Sequence, residues 1–381
     1  MQDIFENFGI YLHVPFCVQN CDYCRFYKRV PNKATIDIYL DTISKEIDIA
    51  KSQYPNELRT PETMFWGGGT PSILTEKNIE QLANIFKENN LLPTKEWTVE
   101  VAPTNATSSR LQMLKDVGVT RISMGVQSFN ENTLKTLGRK HTLKATLEAI
   151  DRIANINFEH FSIDLIFGAK GQTQQEWFAD IEHATHCPVD HISAYCLEFE
   201  SATSCCAGRL QDKDYQESER EGEFLKIAMN RLPELGFQQY EISNYSKPNC
   251  QCLHNLATWN MSQWLGFGPS SASQFAGKRF RNTPDFDKWI NAINANSPIY
   301  EDIVELNDDE LFADALIFGL RMTNGVNFAK LCERFPNADY AKYLPTIDFL
   351  ASEKLLEKIE DKIKLTKRGR LVADAIAIEL I

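Results

Sequence analysis

Three cysteines near the start of the chain are the residues best suited to chemistry. Cys17, Cys21 and Cys24 are separated by three and then two residues, so one short loop can place three thiolates around a single inorganic centre. No fourth cysteine follows nearby. A structural zinc site uses four protein ligands, whereas a reactive centre keeps one position open. The spacing favours a four-iron cluster with one iron left free by the protein; zinc completed by His13 and ordinary free thiols are the alternatives.

A second group of polar residues stands where short apolar segments end. Glu100, Gln127 and Asp164 each follow such a segment, and the glycine-rich turn 66–71 follows another. Carboxylates accept hydrogen bonds from ammonium and hydroxyl groups, and an amide can donate or accept them. Arg139 adds a cation suited to a carboxylate. Each residue alone is explained as well by a helix cap or a solvated surface, but together, beside the cysteine loop, they indicate a ligand site.

The segments that must position these residues alternate between short β-branched stretches and longer helical patterns. This alternation is typical of βα units on a parallel sheet. The predicted strands are 9–14, 63–66, 97–101, 121–124, 160–166 and 191–197. The predicted helices include 36–51, 77–89, 142–155, 173–185 and 216–235. Six units are fewer than the eight of a closed barrel, so we predict an α/β fold with a partial (β/α)6 barrel, whose reactive groups lie at the carboxyl ends of the strands.

The C-terminal part of the chain follows a different pattern. Acidic residues dominate 301–310, which we interpret as a solvated linker and helix start. A β-ribbon and a helix are predicted within 363–377, after three helical segments at 309–320, 328–335 and 346–356. We therefore predict a barrel domain over 1–300 and a smaller winged-helix-like domain over 301–381.

Composition argues against several classes of protein. The 381 residues include 40 Lys and Arg against 52 Asp and Glu, a net charge of -12 that disfavours nucleic-acid and anionic-membrane binders. Lys367, Arg368 and Arg370 are too few for a duplex footprint. No signal peptide is visible, and no apolar run approaches the ~20 residues of a transmembrane segment. We expect a cytoplasmic protein without nucleic-acid partners, in which the ten cysteines are reduced thiols or metal ligands.

The cysteine loop resembles that of the radical S-adenosylmethionine (SAM) superfamily. The shared features are Cys-x3-Cys-x2-Cys and the aromatic residue before the last cysteine. The resemblance implies a 4Fe-4S cluster whose free iron is chelated by the amino and carboxylate groups of SAM. At matching positions it implies that the residues contacting SAM are Tyr11, Gly68, Gly69, Thr70, Glu100, Gln127, Arg139 and Asp164.

A closer resemblance links the chain to the group that contains oxygen-independent coproporphyrinogen III oxidases and HemW-type heme chaperones. The segments that carry it are YLHVPFCVQNCDYC, FWGGGTPS, TVEVAPT, RISMGVQSFN, LGRKHT, SIDLIFG, HISAYCLEFE and YEISNYSKPN. The oxidases have a long arm before the loop and a further cysteine two residues after it, whereas here sixteen residues precede the loop and position 26 is Phe26. The segment 252–259 also resembles the His-Asn-x-x-Tyr-Trp signature of the chaperones, with Thr258 in place of the tyrosine.

The resemblance to the chaperones implies a carrier of heme. His254 is then the candidate heme-binding residue, and a structural histidine held by hydrogen bonds is the equally weighted alternative. The leading hypothesis is a chaperone that binds heme and a SAM-coordinated 4Fe-4S cluster and passes heme to an unidentified acceptor protein. The alternative is a radical SAM oxidoreductase that acts on coproporphyrinogen III or another tetrapyrrole.

Overall fold

The computed structural model describes residues 7–18, 21, 23, 24, 26–197 and 214–380, and it begins with a series of βα units. In chain order these are β1 (Phe8–Val14), α1 (Lys33–Gln53), β2 (Thr63–Gly68), α2 (Glu76–Glu88), β3 (Glu96–Val101), α3 (Ser108–Asp116), β4 (Arg121–Gln127), α4 (Glu131–Thr136), α5 (Leu143–Ile156), β5 (His160–Phe167), α6 (Gln174–His186), β6 (His191–Cys196) and α7 (Asp214–Glu234). Strands β1 to β6 are parallel and lie side by side in chain order. The predicted α/β fold with a partial six-stranded barrel is confirmed.

The strands and helices follow from the sequence in a simple way. Ile10, Leu12 and the other side chains of β1 are buried on both faces apart from Tyr11, as parallel strands between helices and a barrel interior require. Helices α2 and α6 begin at Thr75 and Thr173, whose hydroxyls accept a backbone N–H of the first turn. These caps fix where each helix starts after its strand, so the connections that carry the site residues have defined ends.

The sheet is longer than the sequence pattern indicates. After α7 come β7 (Gln238–Gln239), β8 (Asn244–Ser246), α8 (Leu253–Trp259), β9 (Gln263–Phe267), β10 (Ala272–Phe275), β11 (Lys278–Asn282), α9 (Phe286–Asn294) and β12 (Tyr300–Glu305). Strand β8 pairs antiparallel with β6, and β9 pairs parallel with β1. The strand order is β12-β11-β10-β9-β1-β2-β3-β4-β5-β6-β8-β7. Strand β1, which leads into the cysteine loop, therefore lies between two parallel neighbours.

The linker interpretation of the acidic segment 301–310 is wrong in its first half. Residues 301–305 belong to β12, an exposed strand at the edge of the sheet, paired with β11. Arg281 of β11 forms ion pairs with Glu301 (3.3 Å) and Asp302 (2.9 Å). Charged side chains on an edge strand discourage pairing with other chains, so an acidic composition is compatible with a strand at this place.

The C-terminal residues form a second unit with its own apolar core. Its elements are α10 (Asp308–Arg321), β13 (Val326–Asn327), α11 (Phe328–Arg334), α12 (Leu344–Ser352), β14 (Leu356–Ile359), β15 (Lys362–Leu365), α13 (Lys367–Arg370) and α14 (Ala373–Glu379). Helix, strand, two helices and a ribbon that pairs with the first strand make a winged-helix arrangement, as predicted. The backbone N–H of Thr323 donates to Tyr240 O (3.0 Å), which ties this unit to the barrel. Within the described ranges, no helix combines the length and the apolar character needed to cross a membrane.

Candidate functional site

The cysteine loop is fastened to the end of β1 at both of its own ends. The N–H of Cys17 donates to Arg29 O (3.0 Å), and the N–H of Arg29 donates to Pro15 O (2.7 Å), so the entering and leaving chains pair. The ring of His13 on β1 donates from Nε2 to Tyr27 O (2.8 Å). The loop is therefore anchored at the carboxyl end of β1, where the parallel strands converge.

His13 supports the loop, and both of its ring nitrogens are hydrogen bonded within the protein. Its Nδ1 accepts a hydrogen bond from Tyr11 OH (3.1 Å), while its Nε2 is bonded to Tyr27. Burial lowers the pKa of His13 to about 4, so the ring is neutral at neutral pH. His13 is thus not placed to complete a zinc site with the cysteines. Tyr11, expected to contact SAM, lies behind the loop as the partner of His13.

The thiols lie among groups that favour an anionic centre. The Sγ of Cys17 is 3.3 Å from Thr70 Oγ1, and Arg139 Nη1 lies 3.6 Å from Cys21 Sγ. Lys28 Nζ donates to a carbonyl of the loop (2.9 Å). Burial raises the pKa of the Cys17 thiol, and the hydrogen bond with Thr70 opposes that shift. Three metal-bound thiolates carry three negative charges, and two cations stand beside them.

The glycine-rich turn after β2 packs against the base of the loop. The N–H of Gly69 donates to Val14 O (3.0 Å), and the N–H of Thr70 donates to Phe16 O (2.8 Å). A Cβ on Gly69 would lie 2.4 Å from Val14 O, and Gly68 has a φ of +91°, where glycine is favoured. The sequence predicts that these glycines let the backbone approach a ligand, and both line the cavity described below. In the structure, the small size of Gly68 also admits the His13 ring, and that of Gly69 admits the backbone at Val14 and Phe16.

Two half-buried carboxylates face the same space from β3 and β5, which lie on either side of β4. The N–H of Gly68 donates to Glu100 Oε2 (3.2 Å), and Ser123 Oγ donates to Asp164 Oδ1 (3.1 Å). Burial, followed by repulsion from Asp164, raises the pKa of Glu100 to about 8. Burial also raises the pKa of Asp164. A nearby positive charge would relieve both carboxylates, so the site is suited to a cationic ligand.

A bulge in β4 turns Gln127 and Arg139 toward the site. The pairing with β5 shifts register between Gly125 and Gln127, and Gln127 has a φ of +68°. A Cβ on Gly125 would lie 2.6 Å from Gln127 Nε2, and Arg139 Nη2 donates to Gly125 O (3.1 Å). Bulges commonly re-aim side chains next to functional sites. Gly125 therefore makes room for the amide and anchors the guanidinium, a role that the sequence pattern did not reveal.

One cavity of about 1220 Å³ extends from the cysteine loop through the barrel to the C-terminal unit. The predicted site residues that line it are Cys17, Cys21, Cys24, Gly68, Gly69, Thr70, Glu100, Gln127, Arg139 and Asp164. Tyr23, Lys28 and Ser123 also line it and were not singled out from sequence as ligand-site residues. Tyr23 precedes the predicted metal ligand Cys24, and that position in the sequence could have identified it as a site residue. In the structure, its OH lies 3.5 Å from Arg139 Nη1. Nothing in the sequence singled out Lys28 or Ser123 as site residues.

His254 lies at the opposite end of the sheet and does not line this cavity. Its Nδ1 is hydrogen bonded with Thr63 Oγ1 (2.9 Å), and its N–H donates to Glu96 Oε1 (3.1 Å), both at strand starts. Glu96 also forms a buried ion pair with Arg121 (3.0 Å). Burial lowers the pKa of His254 to about 4. This position matches the structural alternative for His254, whereas Trp259 of the same helix does face the cavity.

The fold and the cysteine loop define the class of protein. The family model described as the Radical SAM superfamily matches residues 11–184, and the HemN C-terminal domain model matches residues 306–372. The fold is similar to the solved structure of coproporphyrinogen III oxidase (HemN) from Escherichia coli, with a TM-score of 0.84 and 22% identity over 100% of this chain and 91% of that one. At this sequence identity, the similarity shows a shared fold and no more.

Relatives of higher sequence identity indicate which family of this superfamily the chain belongs to. The heme chaperone HemW of Bacillus subtilis (strain 168) is 32% identical over 375 residues, which are 96% of this chain and 97% of the relative. The heme chaperone HemW of Synechocystis is also 32% identical, over 91% of this chain and 85% of the relative. The chain belongs to the HemW family of the radical SAM superfamily.

The residues present fit the cofactors that this superfamily implies, a 4Fe-4S cluster and SAM. Three thiols and two cations share one end of the cavity, which suits an anionic cluster. Two half-buried carboxylates with raised pKa values lie in the same cavity, which suits the sulfonium of SAM. Both donor sets were predicted from sequence, and the fold brings them together.

Proposed function

We propose that this protein is a cytoplasmic heme chaperone that binds heme and a SAM-coordinated 4Fe-4S cluster and transfers heme to an acceptor protein. The observation that carries the proposal is full-length similarity to proteins named heme chaperones, at 32% identity over 96% of this chain for the Bacillus subtilis relative. Because that similarity includes the C-terminal unit, it supports a shared function beyond a shared cofactor site.

In this proposal, Cys17, Cys21 and Cys24 hold the cluster, which supplies a one-electron redox centre when it is bound. Arg139 and Lys28 offset the charge of the thiolates, since both lie within hydrogen-bonding range of the loop.

The SAM contacts in this proposal come from the ends of three neighbouring strands. Glu100 and Asp164 accept hydrogen bonds from the amino and hydroxyl groups of SAM, and their partial burial limits competing water. Gln127 offers an amide beside them, held by the bulge of β4.

Heme occupies the part of the cavity away from the cysteines. Ile242 and Trp259 line that part, and they offer apolar surface to a flat macrocycle. This space opens beside the C-terminal unit, so an acceptor protein that docks on that unit would reach the heme directly.

The continuous cavity also supports the second candidate, a radical SAM oxidoreductase acting on coproporphyrinogen III or another tetrapyrrole. A substrate bound nearer the cysteines in this cavity would lie close to SAM, which is the arrangement that cofactor chemistry requires. Phe26, which stands where the oxidases carry a further cysteine, favours the chaperone.

Anaerobic reconstitution with iron and sulfide, followed by two assays, tests the proposal. Heme titration should give a saturable change in absorbance, and the bound heme should pass to apomyoglobin, used as a probe acceptor. Incubation with coproporphyrinogen III, SAM and a reductant should give no decarboxylated product. Absence of heme binding would refute the chaperone, and a decarboxylated product that disappears in Cys21→Ala would establish the oxidoreductase.

A further inference from the structure

Two arginines of the C-terminal unit line the end of the cavity that lies away from the cysteine loop. Arg321 is the last residue of α10, and Arg370 is the last residue of α13. Both arginines line the cavity, together with Trp259 and the segment 371–375. In the sequence, Arg370 stands only in a weak basic cluster with Lys367 and Arg368.

Arg370 lines this space, and the carboxylate of Glu357 offsets its charge electrostatically without forming an ion pair with it. Its Nε is buried and has no hydrogen-bond partner, and the described part of the chain supplies no ion pair for its guanidinium. Burial lowers its pKa, yet an arginine stays protonated in proteins. Leaving a partly buried guanidinium unpaired costs free energy that an anion in the cavity would recover.

Arg321 is only partly compensated. Its Nη1 donates to Asp374 (2.9 Å), whose side chain is 81% exposed, and its Nε is buried without a hydrogen-bond partner among the residues described. Its guanidinium carbon lies 5.0 Å from the centre of the Trp259 ring. The nearby Glu241 accepts hydrogen bonds from Ser243 N–H and Asn244 Nδ2. Burial raises the pKa of Glu241, and the charge of Arg321 opposes that shift.

The surface around the two arginines includes apolar side chains beside Asp374 and Glu241. Leu371, Val372 and Ala373 line the cavity next to Arg370, and Ile242 lines it from the barrel side. A ligand complementary to this wall is a flat apolar molecule with carboxylates at one edge. Planar guanidinium groups bind carboxylates through paired hydrogen bonds, so each arginine can take one carboxylate.

We propose that Arg321 and Arg370 form a carboxylate subsite that binds the propionate groups of the tetrapyrrole. This inference rests on the proposed heme-binding function and adds the groups that orient the ligand. The macrocycle then lies against Trp259 and the apolar wall, with its carboxylates directed at the C-terminal unit.

The test compares heme with its dimethyl ester, in which both carboxylates are masked, on the cluster-loaded full-length protein. Arg370→Met should weaken heme binding roughly 10- to 100-fold, the range for loss of a charged hydrogen bond, and should leave ester binding unchanged. Arg370→Lys should restore part of the affinity for heme. Arg368→Met is the matched control, because Arg368 lies in the same helix and donates to Glu353 O (3.2 Å) away from the cavity.

The comparison of heme with its ester in the wild-type protein is a second test of the subsite. The wild-type protein should bind the ester more weakly than heme, and this preference for heme should be smaller in Arg370→Met, where only Arg321 remains to bind a carboxylate. Asp374→Asn should strengthen heme binding, because it releases Arg321 from its present partner. Equal heme affinity in Arg370→Met and wild type would overturn the subsite while leaving the chaperone intact. A wild-type protein that binds neither compound would overturn both proposals.

Discussion

Replacing Glu100 by glutamine should change how SAM binding depends on pH. The pKa of Glu100 is raised from 4.5 to about 8 in the ligand-free protein, so below that pH the carboxyl is mostly protonated. A cationic ligand favours the ionised form, and binding must then release a proton. Each pH unit below 8 costs about 1.4 kcal/mol, so at pH 6.5 the penalty is about 2 kcal/mol, or roughly 30-fold in affinity.

The assay is calorimetric titration of SAM into the cluster-loaded protein between about pH 6 and pH 9, in buffers with different ionisation enthalpies. Wild-type affinity should rise with pH until about 8 and release one more proton than Glu100→Gln. The amino group of SAM titrates equally in both proteins, so the difference between them isolates Glu100. Asp164→Asn should move the wild-type inflection to lower pH, because Asp164 repels the ionised Glu100. Identical pH profiles in wild type and Glu100→Gln would refute the reasoning.

Three further predictions concern the loop and the opposite end of the sheet. Gly69→Ala places a Cβ 2.4 Å from a backbone oxygen of β1, so iron content after reconstitution should fall, whereas Gly222→Ala, with no atom within 4 Å, should keep it. Glu96→Gln leaves Arg121 buried without its ion-pair partner and should lower the free energy of unfolding by about 3 to 5 kcal/mol in denaturant titrations; unchanged stability would contradict that assignment. His254→Ala should destabilise the protein but leave the heme spectrum unaltered, because the ring is hydrogen bonded away from the cavity; a lost heme spectrum in a folded variant would restore its role as a ligand.

The parallel barrel was predictable because its signals are local and repeated. Each strand combines an apolar run with a polar residue at its end, and parallel strands bring those ends together. Glu100 and Asp164 are far apart in sequence, yet this rule alone placed them in one site. The strands β9 to β12 were missed because they are short and follow the last clear βα unit. Their placement depends on pairing with β1, which is a long-range contact.

Other features depend on packing that a single sequence does not display. The glycines of the turn were predicted to approach a ligand, whereas the sequence did not show that Gly69 also packs against the backbone of Val14 and Phe16. His254 belongs to a motif that predicts either a heme-binding residue or a structural histidine. The position of α8 distinguishes these two interpretations, because it places His254 at the starts of β2 and β3. The sequence also gave no sign that Arg370 faces the barrel, because that contact joins two separate units.

The position of β1 in the sheet affects how the fold would respond to the loss of a bound iron–sulfur cluster. This strand has a parallel neighbour on each side, and its core side chains are fully buried. Central strands open last in native proteins, while loops open first. Loss of a bound cluster would therefore leave the polypeptide framework folded, so restoring the cluster would not require the chain to refold.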